Sequence, residues 1–190
     1  MKIRLCLVVI LFALPNAALR LFAAEPRVID LWPEGVPDLK ADATPEKDDN
    51  GRFSNIHHPT LTVYAPPAGK ANGTGIIYAA GGGYIRVAVG ANGGDVTRWL
   101  NDLGITVFVL KYRNVEYGHP APLRDALRAM RTVRSRAAEF GVKPDRIGML
   151  GGSAGGHLTA SAGTLYDAPE GRTGAEIDKV SARPDFMVLI

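Results

Sequence analysis

Apolar positions fall along the chain in two rhythms, one suited to strands and one to helices. Thr60-Leu61-Thr62-Val63-Tyr64 alternates and is rich in β-formers, which predicts an outer strand. Gly75 to Ala80 and Ile105 to Leu110 are nearly continuous apolar runs, so both are expected deep in a sheet, covered on two faces. Asp95 to Leu103 carries Val96, Trp99, Leu100 and Leu103 at helical spacing. Pro122 to Phe140 puts Leu123, Leu127, Met130, Val133 and Ala137 on one stripe, with Gly141 as its stop. A turn signal, Lys143-Pro144-Asp145, precedes a short apolar strand from Arg146 to Leu150, and the small residues of Gly156 to Gly163 suit a helix packed tightly on a sheet. Pro169 to Val180 reads as an excursion, and Asp185 to Ile190 begins another strand. Strands alternating with helices predict an α/β fold, a three-layer sandwich around a mostly parallel central sheet.

The first 59 residues behave differently. Residues 1–24 read as a secretory signal peptide: Lys2 and Arg4 precede an apolar run from Leu5 to Leu14 that is too short to span a bilayer. Cleavage near Ala23 or Ala24 is the expectation, and a secreted or periplasmic location follows; an uncleaved anchor is the alternative. The single cysteine, Cys6, lies in this leader, so the mature protein should hold no disulfide and no thiol chemistry. Residues 25–59, rich in Pro, Asp, Glu and Asn, read as an extended lead-in with turns, and residues 60–190 as the folded domain. The formal charge of +3 comes from Lys2, Arg4 and Arg20; without them the chain is neutral, which argues against a nucleic-acid partner.

Two motifs carry chemistry. Gly151-Gly152-Ser153-Ala154-Gly155 contains Gly-x-Ser-x-Gly between a strand and a helix, the setting of a serine nucleophile held on a sharp turn. Small neighbours are required there because a side chain at Gly151 or Gly155 would strike backbone as the chain reverses. Gly81-Gly82-Gly83-Tyr84 follows a central strand. Consecutive glycines let backbone N–H groups approach a substrate carbonyl on which negative charge develops. The expected oxyanion donors are the N–H groups of Gly82, Gly83 and Ala154, and Tyr84 is the expected substrate-lining residue. A phosphate cradle is the competing reading of the glycines, but no lysine follows in P-loop register.

With these residues in hand, the chain resembles the α/β-hydrolases, and among them the hormone-sensitive-lipase-like and acetyl-xylan-esterase-like esterases. The resemblance runs from about residue 60 to the end. It rests on Gly81-Gly82-Gly83-Tyr84, Leu110-Lys111-Tyr112-Arg113, Asp125, Asp145-Arg146-Ile147 and Gly151 to Leu158. One departure is Ala79-Ala80 before the glycines, where relatives often carry His-Gly or a proline; it changes how the loop is braced, not its donors. The resemblance implies a carboxylic-ester hydrolase with a triad in the order Ser, Asp or Glu, His. No histidine of the chain fits the base. His157, one helical turn past Ser153, is expected to brace the glycine loop or the turn, His57 and His58 to face solvent, and His119 to lie on a loop near the site rim. Of the later acids, Asp185 should sit at the wrong end of its strand, and Asp167, Glu170, Glu176 and Asp178 should be solvated. The chain therefore reads as the N-terminal part of a longer hydrolase, with little activity by itself.

Other residues have structural expectations. Asp125 should steady the start of the long helix through its dipole, Tyr112 and Arg113 should pair with Asp125, and Trp32 should pack rather than bind sugar. No cluster has metal-ligand spacing, so no metal and no cofactor are expected. The expected partner is a small-molecule or polysaccharide ester, with no stable membrane span. A secreted esterase acting through an acyl-enzyme, removing small acyl groups such as acetyl from carbohydrate, competes with a serine peptidase of the same fold and with a truncated, non-catalytic domain.

Overall fold

The computed structural model describes residues 26–190, so the expected leader and Cys6 lie outside the described residues. In chain order the strands and α-helices begin with β1 (Arg27–Asp30), β2 (Lys47–Asp48), β3 (Arg52–Ser54) and β4 (Thr60–Tyr64). They continue with β5 (Gly75–Ala79), β6 (Val87–Ala88), α1 (Gly94–Asp102) and β7 (Thr106–Lys111). The last are α2 (Ala121–Ser135), β8 (Ile147–Gly151), α3 (Ala154–Thr164) and β9 (Met187–Leu189).

Six strands form the main sheet in the order β1-β4-β7-β5-β8-β9. The pairs β7–β5, β5–β8 and β8–β9 are parallel, while β1 and β4 are antiparallel additions at one edge. Every residue of β8 is buried, and β7 is buried from Thr106 to Leu110, as continuous apolar runs require. The apolar stripe of α2 covers this sheet: Leu127, Met130 and Val133 have no exposed surface. Among the described residues no helix is long and apolar enough to cross a membrane.

Four expectations change. β4 is not the outer strand, because β1 from the lead-in pairs along its whole length, Arg27 opposite Val63 to Asp30 opposite Thr60. The lead-in also supplies β2 and β3, which pair with each other and with β6 in a small separate sheet. On α1 the buried residues are Thr97 and Leu100, while Trp99 and Leu103 are exposed. Burial of Thr97 is tolerated because its hydroxyl donates to the Gly93 carbonyl at 2.6 Å. Finally, α2 ends at Ser135 rather than Phe140; residues 136–141 tighten into turns, and the Val142 N–H closes back onto the Ala137 carbonyl.

Candidate active site

Ser153 stands between β8 and α3, at the end of the sheet where the parallel strands finish. In open parallel sheets this carboxyl end is where ligands bind. Its backbone has φ 54 and ψ −123, a conformation a serine adopts only when its surroundings impose it. Packing imposes it here. A Cβ on Gly155 would lie 1.9 Å from the Ala79 carbonyl oxygen, and one on Gly151 would lie 2.1 Å from the Gly155 carbonyl oxygen. The chain can therefore reverse against β5 only because neither residue has a side chain. The Ser153 N–H donates to the Ile190 carbonyl at 2.8 Å, which fixes the turn to the strand beyond it. Ser153 is exposed at the head of α3, with its side chain bonded to no protein group among the described residues.

The glycine loop lies against this turn. A Cβ on Gly81 would come within 2.6 Å of the Gly152 carbonyl oxygen and 3.2 Å of the Ser153 Cβ. Gly82 has φ 147 and its carbonyl accepts the N–H groups of Ile85 and Arg86, which folds the loop into a tight turn. Neither the N–H groups of Gly82 and Gly83 nor that of Ala154 bonds to a protein acceptor among the described residues. Beneath the loop, the Tyr112 hydroxyl donates to the Ala80 carbonyl at 2.7 Å. Burial raises the Tyr112 phenol well above its ordinary value, so it remains a donor. Tyr112 thus braces the loop and does not pair with Asp125.

Tyr84 and His157 join the loop to α3. The Tyr84 hydroxyl and His157 Nδ1 share a 2.9 Å hydrogen bond, and their rings meet edge to face. Burial pushes the Tyr84 phenol up. Beside this pair is a cavity of about 250 Å3, walled by apolar groups such as Val115, Leu123 and Leu158, and reached also by Asn114 and His119. His119 therefore lies at the site rim, as its loop position suggested.

The loop after β7 is held by a buried ion pair. Asp125 is fully buried and accepts from the Arg113 N–H, Nε and Nη2 and from the Trp32 indole N–H, at 2.8–3.2 Å. Burial pushes the Asp125 carboxyl up, and the Arg113 guanidinium and the two N–H donors draw it back. Asp125 thus acts through Arg113 and Trp32 and not through the helix dipole. Trp32 packs as expected, with the Arg128 guanidinium 4.7 Å above its ring.

Two further expectations are corrected. His57 is buried rather than solvated: its ring nitrogens meet the Tyr117 hydroxyl at 2.8 Å and the Thr44 carbonyl at 2.6 Å. His58 is exposed. Asp178 is not a free surface acid; it lies 3.4 Å from buried Arg131 and accepts the N–H groups of Thr173 and Gly174. Asp167, Glu170 and Glu176 are exposed. Asp185 accepts the Ile147 N–H at 2.9 Å, at the start of β8 and so at the opposite end from Ser153. Local pattern could not have found the His57 pocket, because its partners come from distant loops.

Known proteins resemble this arrangement. The BD-FAE family model matches residues 61–185. An acetylxylan esterase of Xylanibacter ruminicola is 34% identical over 123 residues, covering 65% of this chain and 22% of that protein. Carboxylesterase NlhH of Mycobacterium tuberculosis is 30% identical over 140 residues, covering 72% of this chain and 42% of the relative. The solved acetyl ester-xyloside bifunctional hydrolase of Caldicellulosiruptor lactoaceticus superposes with a TM-score of 0.68 at 38% identity, over 86% of this chain and 56% of that one. Thermogutta terrifontis esterase 2, at 22% identity and a TM-score of 0.60, shares the fold. The chain thus spans about half, or less, of the length of these relatives. Its sheet and crossing helices are those of the α/β-hydrolase fold, and with about two thirds of its length matched, the chain belongs to the BD-FAE family.

Proposed function

We propose that the protein containing this chain is a serine carboxylic-ester hydrolase in which Ser153 is the nucleophile. The observation that supports the reading is the packing of Gly81 against Ser153, where a Cβ on Gly81 would come within 3.2 Å of the Ser153 Cβ, together with N–H groups of Gly82, Gly83 and Ala154 that meet no protein acceptor among the described residues. The Ser153 Oγ attacks the ester carbonyl carbon. The N–H groups of Gly82, Gly83 and Ala154 receive the oxyanion, aided by the positive end of α3. The tetrahedral intermediate collapses, the alcohol leaves with a proton, and an acyl-enzyme remains. Water then attacks the acyl carbon and releases the carboxylic acid and free Ser153.

A serine hydroxyl needs a base to take its proton. Among the described residues none of His57, His58, His119 and His157 is bonded to the Ser153 hydroxyl, and the chain spans about half, or less, of its relatives' length, so we infer that the base and its acid come from the rest of the protein. The relatives named above support an acetyl or other small acyl group on a carbohydrate as the substrate. The charged start and short apolar run of residues 1–24 support export to the periplasm or beyond.

Labelling the full-length protein with a fluorophosphonate tests the reading. The expected result is one adduct, mapped by peptide mass to Ser153 and missing in Ser153→Ala. A protein that hydrolyses acetyl esters but labels elsewhere overturns it.

A further inference from the structure

The glycine loop leaves no room for a side chain between Gly81 and the serine turn, yet close packing alone does not fix how the two are aligned. Among the described residues one hydrogen bond joins residues 81–84 to residues 152–157: the 2.9 Å bond between the Tyr84 hydroxyl and His157 Nδ1. His157 is tied to the nucleophile as well, because its backbone N–H donates to the Ser153 carbonyl at 2.9 Å. One residue therefore holds the serine turn with its main chain and the glycine loop with its ring. Tyr84 is held from three directions. Its hydroxyl meets His157, its carbonyl accepts the Val115 N–H at 2.8 Å, and its ring meets Tyr112 edge to face at 6.1 Å. Its φ of 58, directly after Gly83 at 63, is a left-handed conformation that bulky residues rarely adopt unless their surroundings impose it. At the other end of the loop the Tyr112 hydroxyl holds the Ala80 carbonyl. Gly82 and Gly83, the expected oxyanion donors, are strung between these two anchors.

We infer that the Tyr84–His157 bond aligns the oxyanion loop with the serine turn, so that His157 is a positioning residue acting through Tyr84 and the Tyr84 hydroxyl is a tie and not a substrate contact. The inference rests on the reading of Ser153 as nucleophile. Oxyanion donors strengthen only as charge develops on the carbonyl, so their placement governs the chemical steps more than affinity for the ester. Acylation and deacylation both pass through an oxyanion on the same donors. A displaced loop therefore slows both and leaves KM nearly unchanged. Burial pushes the Tyr84 phenol up, so it keeps its proton and donates to an unprotonated Nδ1. The tie asks only for an acceptor at the Nδ1 position, which an Asn side chain supplies with its Oδ1 and a Leu does not. It asks nothing of the acid–base chemistry of imidazole, and that separates it from a general base.

Steady-state hydrolysis of phenyl acetate by the full-length protein tests this. Tyr84→Phe and His157→Leu should each lower kcat about tenfold, short of the roughly 10²- to 10³-fold loss on removing an oxyanion donor outright. KM should stay within about twofold. Melting temperatures should stay close to wild type, because the bond is solvent-exposed. His157→Asn should recover most of the loss. The double variant Tyr84→Phe/His157→Leu should be no slower than the slower single variant, because one tie is cut only once. Four results overturn the inference. A kcat within about twofold of wild type in either single variant shows that the bond sets nothing. A loss carried by KM makes Tyr84 or His157 a substrate contact. Losses that multiply in the double variant give the two residues separate roles, and a His157→Asn as slow as His157→Leu gives the imidazole an acid–base role. Should His157→Leu fail to fold, Tyr84→Phe and His157→Asn decide alone, the first expected slow and the second near wild type. A wild type labelled by a fluorophosphonate at Ser153, with unaffected variants, ends this inference and leaves the nucleophile reading standing. A wild type that hydrolyses the ester but labels elsewhere ends both.

Discussion

The serine turn and the Asp125 cluster are both tightly constrained, and they are built in opposite ways. The turn is made by leaving side chains out: Gly81, Gly151 and Gly155 let three stretches of backbone touch. The cluster is made by filling every valence: one carboxylate takes its donors from Trp32 and Arg113 and is sealed from solvent. The first arrangement leaves N–H groups free beside Ser153, whereas the second leaves nothing free on the carboxylate. A site that must act on a substrate needs unsatisfied donors, while a brace needs none.

The sharpest way to separate them is to remove the acting atom of each. Ser153→Ala should cut kcat for an acetyl ester by about 10⁴-fold or more and leave the melting temperature close to wild type. Retention of activity would end the nucleophile assignment. Asp125→Ala should do the reverse, costing about 3–5 kcal/mol of stability by stranding the buried Arg113 guanidinium. Urea denaturation of the two variants side by side gives the comparison directly.

Within the turn, steric and conformational requirements can be told apart. Gly155→Ala drives a methyl into the Ala79 carbonyl and should destabilise by about 3 kcal/mol or more. Gly83→Ala meets nothing within 4 Å, and its only penalty is the φ of 63, on the order of 1 kcal/mol. Similar losses in thermal melts would mean that close approach is not what the turn depends on.

The smallest effect belongs to the lead-in. Glu46 accepts the N–H groups of His57 and His58 and pairs with Lys111. Burial raises its carboxyl pKa, but Lys111 and the two N–H donors lower it further, below the ordinary 4.5. Its contribution is therefore complete above that value and is lost as pH falls through the lower, folded-state value. Glu46→Gln should cost about 1 kcal/mol at pH 7, partly screened because the two side chains keep 18% and 29% of their surface exposed, and the gap should close in acid. A gap that widens below pH 4 would reverse the sign.

What the sequence disclosed follows the range of the interactions involved. The serine turn, β8 and the stripe of α2 are set by neighbours a few residues away, and their positions were legible. The pairing of β1 with β4 was not, because Arg27-Val28-Ile29-Asp30 is short and mostly exposed and shows little periodicity. The link from Trp32 to Asp125 spans 93 residues and leaves no local mark. The stripe on α1 misled because a single hydrogen bond lets Thr97 take the inner face while Trp99 turns outward.

Trp32 also makes the chain its own optical reporter. Of two tryptophans, Trp32 is buried at the Asp125 carboxylate beneath the Arg128 guanidinium, and Trp99 is 58% exposed. Their fluorescence should separate into a blue, quencher-shielded component and a red, accessible one. With Trp99→Phe in place, Trp32 would be the remaining tryptophan of these 190 residues, and its emission would track, in real time, whether the lead-in is docked on the helix that carries Asp125.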